Sequence, residues 1–294
     1  MSFNQDLSDL RARIDSTTQF KIFVLILLCV LLFAPVLIEL VQTWSTSPDY
    51  SHGFFVIPIA LFMLWRKRDQ IFTTPPSSSW IWFSLSLLAV CTYIIALITS
   101  FHSLTYLSMI IIIFSLFFFL AGLQITKIVA LAILFLLFMF PIPSSLYILI
   151  TNPLKLMITS ISAWIIQLFG FPVYQDGNLL FFANTQLEVA EACSGIRSLY
   201  SFIMLSCVFA LLCSHLTSKM ILIASTIPLA ILVNIIRVSG TGILANFYGP
   251  EVAQGFFHEF TGFILFIIGL IVLFAIYYLL ENRSIHGGSR RLHE

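Results

Sequence analysis

Long apolar runs alternate with short polar breaks along almost the whole chain. The runs at about 20–41, 80–98, 104–123, 196–213, 220–245 and 260–280 approach the ~20 residues a helix needs to cross a ~30 Å hydrocarbon core. Two more, at about 54–65 and 128–140, are shorter, and the second is stopped by Pro141-Ile142-Pro143. Residues 144–169 keep a helical pattern, but Asn152-Pro153 breaks it and Lys155 interrupts it. The stretch 171–190 is irregular and polar. Within it Asp176-Gly177-Asn178 stands between short apolar runs and predicts a β-hairpin.

Charge decides how these pieces are counted. Arg11, Arg13 and Lys21 place the N-terminus in the cytoplasm by the positive-inside rule. Two crossings later the cluster Arg66-Lys67-Arg68 is again inside, and Arg283, Arg290 and Arg291 ask for a cytoplasmic C-terminus. An even number of crossings is needed, and eight satisfies it when 144–169 does not cross. The expected fold is an all-α polytopic membrane protein with about eight transmembrane helices, an interfacial helical segment at 144–169 and a short extracytoplasmic hairpin. Residues 1–19 read as a cytosolic lead-in, 20–281 as a single membrane domain and 282–294 as a cytosolic tail. The first apolar run follows about twenty mixed-charge residues and is not followed by a small-residue cleavage site, so no cleavable signal is expected.

Composition agrees. Of 294 residues 60% are hydrophobic, 9% are charged and 30 are Phe, with a mean hydropathy of +1.04. A soluble domain does not carry that much apolar surface. No basic stripe exists outside short loops, so a nucleic-acid partner is not supported.

The chemistry is concentrated in a few polar islands. The chain has 5 cysteines with no C-x-x-C pair and no zinc-like Cys/His spacing, so neither a metal nor another cofactor is expected. Four of them fall in apolar runs, where Cys packs as a small hydrophobe. Cys193 differs. It lies in Glu191-Ala192-Cys193-Ser194-Gly195-Ile196-Arg197-Ser198-Leu199, where the polar stretch turns into the next apolar helix. A helix N-terminus there favours thiolate, the nucleophilic form. Arg197, at i+4, falls on the same helix face as the cysteine. The competing reading is a small buried residue at a helix start.

Two further islands follow. Arg237, in Asn234-Ile235-Ile236-Arg237, stands inside an apolar run, where an arginine costs several kcal/mol and usually faces a polar cavity. The alternatives are snorkelling to the headgroups or a structural pair with Glu191 or Glu259. Gly240 and Gly242 would let another helix or a substrate approach the backbone. His258, in His258-Glu259-Phe260-Thr261-Gly262, suits a general base, or else a solvated interfacial histidine. His-Glu without a second histidine four residues on is not a zinc-protease signature. In the expected topology Cys193, Arg237, His258, Asp49 and His52 all fall toward the outer leaflet.

In this order, the Cys193 stretch, Asn234-Ile235-Ile236-Arg237 and His258-x-x-x-Gly262 together resemble the exosortase/archaeosortase family of membrane transpeptidases. Pro48-Asp49-Tyr50-Ser51-His52-Gly53 through Trp65-Arg66-Lys67-Arg68 is similar to that family's N-terminal signature. Histidine at the third motif resembles the bacterial branch, since archaeal relatives often carry arginine there. The resemblance implies a multi-pass enzyme of the bacterial cytoplasmic membrane with its site on the extracytoplasmic side. Its substrates would be exported proteins bearing a C-terminal sorting tail: a Pro-Glu-Pro-type motif, one transmembrane helix and a basic end. It implies Cys193 as nucleophile, Arg237 as oxyanion or leaving-group donor, and His258 for proton transfer or charge stabilisation. Arg197, Glu191, Asn234, Asp49 and His52 become candidates for substrate binding. A lipid or glycan amine would be the acceptor; water would make the enzyme a plain protease. Two other readings stay open: a non-enzymatic transporter or scaffold for envelope polymer export, and a rhomboid-like protease using Ser194.

Overall fold

The computed structural model describes residues 16–77, 80–183, 185–189, 196–249 and 256–290. Its helices are α1 (Ser16–Thr46), α2 (Gly53–Arg66), α3 (Arg68–Thr73), α4 (Trp80–Ile98), α5 (His102–Phe135), α6 (Ser144–Leu168), α7 (Ile196–Ala210), α8 (Leu216–Tyr248) and α9 (Phe256–Arg290). Three short strands, β1 (Tyr174–Asp176), β2 (Leu179–Phe181) and β3 (Gln186–Glu188), separate α6 from α7. Among the described residues six helical stretches are long and apolar enough to cross a membrane, with α2 and α7 as shorter apolar helices. The protein is an all-α polytopic membrane protein. α6 meets that criterion too, so length and composition do not by themselves keep it out of the bilayer.

The chain divides into two units, residues 1–140 and 141–294. In the first, α4 pairs with the early part of α5: Trp82 stacks on Phe118 at 4.2 Å and Ser86 Oγ donates to Ser115 Oγ at 2.9 Å. α5 then doubles back. Gly122 has φ 83° and ψ 175°, a region open essentially to glycine alone. Tyr106, near the start of α5, stacks on Phe140, just past its end, at 4.8 Å. A straight helix would hold them about 50 Å apart. The polar break expected around 124–127 is therefore a tighter reversal two residues earlier. A side chain at 122 would also run into Ser77, whose N–H donates to Ala121 O at 3.2 Å.

A second device closes the other end of this unit. After α5 a single 3-10 turn, Leu136–Met139, leaves carbonyls without helical partners. Trp44 Nε1 donates to Met139 O at 2.9 Å, and His52 Nε2 lies 3.1 Å from Phe138 O. Gly53 lets the Trp44 ring lie directly on the start of α2. Glu39, a carboxylate inside the first apolar helix, accepts from Tyr106 Oη at 2.9 Å and meets His102 Nδ1 at 2.9 Å. A carboxylate in such a helix needs partners of this kind.

In the second unit α8 is the central helix. One side packs with α6 and the sheet, through Ile158, Ile166, Leu180, Val189, Ile235 and Val238. The other packs with α7 and α9, through Phe202, Leu222, Leu229, Val233 and Leu273. The expected hairpin is present, with Gly177 at φ 58°, but a third strand extends it into an antiparallel sheet of order β1-β2-β3. Leu180 pairs with both Gln175 and Leu187 and is fully buried, so one face of the sheet is pinned to the helices.

Candidate functional site

Of the candidate residues in the second unit, Asn234 and Arg237 lie on α8 and His258 in the first turn of α9. Arg237 is half-buried on α8. Its guanidinium lies flat against Gly262 of α9: a Cβ there would stand 3.0 Å from Cζ and 3.0 Å from one terminal nitrogen. Glycine at 262 thus lets the arginine stay between two helices and not stretch to the headgroups. Asn234, one turn earlier on α8, is 1% exposed. Ser239 is also buried, and among the described residues its hydroxyl has no hydrogen-bond partner.

His258 lies in the first turn of α9, four residues before Gly262. Positions four apart share a helix face, so this register puts the third motif one turn from the Arg237 contact. The two glycines expected to admit a neighbour behave differently. Gly242 packs against Ile166, Phe182 and Leu187, whereas among the described residues nothing lies within 4 Å of where a side chain at Gly240 would begin. Gly262, the glycine that seats Arg237, was part of the third motif, but spacing alone gave it no partner.

The start of α7 reaches the same level. Phe202 of α7 packs on Gly269 of α9 and stacks on Phe266 at 5.0 Å. From there Ile196 lies about 9 Å up α7 and Gly262 about 10 Å up α9, at 1.5 Å per residue. Arg197 is the second residue of α7 and is half-buried. Glu191 and Cys193 lie outside the described residues.

Asp49 and His52 belong to the first unit, in the segment between α1 and α2, and His52 faces Phe138 O in the turn after α5. His52 is 9% exposed. Burial lowers its pKa, against smaller opposing effects from the Phe138 and Asp49 backbone and the Asp49 charge. Among the described residues no group of three or more His, Cys, Asp or Glu is placed to hold a metal ion.

The family model for transmembrane exosortases matches residues 44–275. Comparison with curated proteins gives no match, and comparison with solved structures gives none.

Proposed function

Starting from a chain that belongs to the transmembrane exosortase family, we propose that it is a cysteine transpeptidase that cleaves C-terminal sorting tails of exported proteins and passes them to an acceptor. Cys193 thiolate attacks the scissile carbonyl, the C–N bond breaks, and the leaving amine takes a proton. An amine of a lipid or glycan, or water, then resolves the thioester.

One observation supports this most: the Arg237 guanidinium rests on Gly262, one turn from His258. Two motifs far apart in the chain thus adjoin on neighbouring helices. An arginine there donates to a developing oxyanion without losing its own proton. His258 assists the proton transfer. The covalent chain adds support, because Cys193 is three positions before Ile196, a span of about 11 Å at most. Arg197, Asn234 and Glu191 shape the peptide's surroundings.

The same unit suggests a side. Ser214, between α7 and α8, hydrogen-bonds through its N–H and its hydroxyl to Glu281 of α9. That end carries Lys219, Arg283 and Arg290. By the positive-inside rule it is cytoplasmic, which puts the Arg237 end outside the cytoplasmic membrane. In the first unit His52 ties the start of α2 to the turn after α5 through Phe138 O, and a direct role in substrate entry is secondary to that.

Co-expression of a tagged, tail-bearing substrate tests the reading. Cys193→Ala leaves the precursor uncut and Ser194→Ala still processes it. Normal maturation in Cys193→Ala would remove the proposal.

A further inference from the structure

β3 is an edge strand, and among the described residues its outer side is open. Phe182 N–H donates to Thr185 O at 2.8 Å, and Val189 N–H donates to Asn178 O at 2.9 Å. Bonded pairs alternate along an antiparallel ladder, so Leu187 faces its partner Leu180. Gln186 and Glu188 therefore turn their N–H and C=O groups away from β2. No described backbone group pairs with them, and both side chains are exposed. β1, at the far side of the sheet, packs beside α6.

Two donors and two acceptors thus stand in a row, repeating about every 7 Å. Such a row is a template for an extended peptide. It is out of place in hydrocarbon, where each unpaired group costs several kcal/mol. It is also firmly held. Leu180 and Val189 are buried against the helices, and Asn178 Nδ2 donates to Glu188 Oε1 at 3.3 Å. β3 is followed in the chain by the Cys193 stretch, with Glu188 only five residues before the cysteine.

We infer that an extended segment of the substrate polypeptide docks on β3 as a fourth strand, held by the backbone groups of Gln186 and Glu188. The identity of that peptide rests on the transpeptidase reading above; the open edge does not. Docking by backbone bonds would fix the peptide's direction and register and leave its side chains free to vary. Selectivity then falls to the side chains that flank the docked strand.

Disulfide crosslinking of the full-length Cys193→Ala protein in membranes tests this, because trapping needs no cleavage. Gln186→Cys and Glu188→Cys are paired with single cysteines stepped through the substrate segment preceding its transmembrane helix. The protein without an added cysteine sets the background from the four other native cysteines. Crosslinks from 186 and 188 should recur at substrate positions two apart, and Leu187→Cys should select the substrate positions of opposite parity between them. Absent crosslinks, or crosslinks without that period, overturn the proposal.

Kinetics supply a second readout in protein that keeps Cys193. Gln186→Pro and Glu188→Pro remove an outward N–H and spare the ladder to β2. Each should raise KM roughly five- to tenfold above alanine at the same position, the loss of one backbone bond. Proline variants indistinguishable from alanine would sink the docking strand and leave the catalytic reading intact. Conversely, tail processing by Cys193→Ala would sink the catalytic reading, and the crosslinks would still decide the strand.

Discussion

Arg237 and Gly262 form a pair in which the smaller partner is the more easily tested. Gly262→Ala adds one methyl 3.0 Å from the guanidinium, tight enough that the arginine must shift by a few tenths of an ångström from its seat. The helix itself tolerates alanine better than glycine. Folding should therefore be little affected, while tail cleavage falls about tenfold or more. Arg237→Ala should lower the rate by about 10²–10³-fold, the scale of one lost oxyanion donor. Arg237→Lys should recover little of it, because an ammonium lacks the planar fork. Ser239 lies two residues beyond Arg237 and behaves differently. Its buried hydroxyl has no partner among the described residues, so Ser239→Ala should leave thermal stability unchanged or raised. Such atomic fits were not legible in the sequence. Residue spacing named Arg237 and placed Gly262 in a motif, but nothing in it said that the one packs on the other.

At the level of elements, the reversal in α5 and the fastening at the opposite end carry the first unit. Gly122→Ala must both leave a glycine-only backbone region and displace Ser77. A loss of about 3 kcal/mol or more is expected, read as reduced thermal stability of the purified protein. His52 gives this unit a pH dependence. Its folded pKa lies below the unfolded value, so unfolding takes up a proton once the pH drops under the unfolded pKa of about 6.5. Stability should fall as the pH is lowered through that value toward the folded pKa. His52→Gln keeps a donor for Phe138 O and should flatten that step relative to wild type. The reversal was partly legible, because two apolar runs flanked a polar break. Its exact place was not, since glycine in an apolar run marks a helix contact as readily as a turn. β3 was missed although Thr185-Gln186-Leu187-Glu188-Val189 alternates with period two. So short a strand is stabilised only by its partner, and the partner is invisible in a linear pattern.

Across the molecule, composition and run lengths were enough for the class of fold. Apolar helices of spanning length are dictated by the bilayer itself, so the sequence declares them openly. The number of crossings is harder. α5 folds back within one continuous helical stretch, α2 and α7 are short, and α6 is long enough to cross. Sidedness is open to direct measurement. Ser214→Cys and Gly249→Cys mark opposite ends of α8, and membrane-impermeant thiol reagents should reach only the second in intact cells. Labelling of both from the same side would contradict the orientation drawn from Lys219, Arg283 and Arg290.

The mechanism itself is tested most directly by mass spectrometry of the enzyme caught during turnover with a tail-bearing substrate. A substrate-derived acyl group should appear on Cys193, be released by hydroxylamine as a thioester is, and vanish in Cys193→Ala together with processing. An acyl group on Ser194, or undiminished processing by Cys193→Ala, would show that the thiol is not the nucleophile.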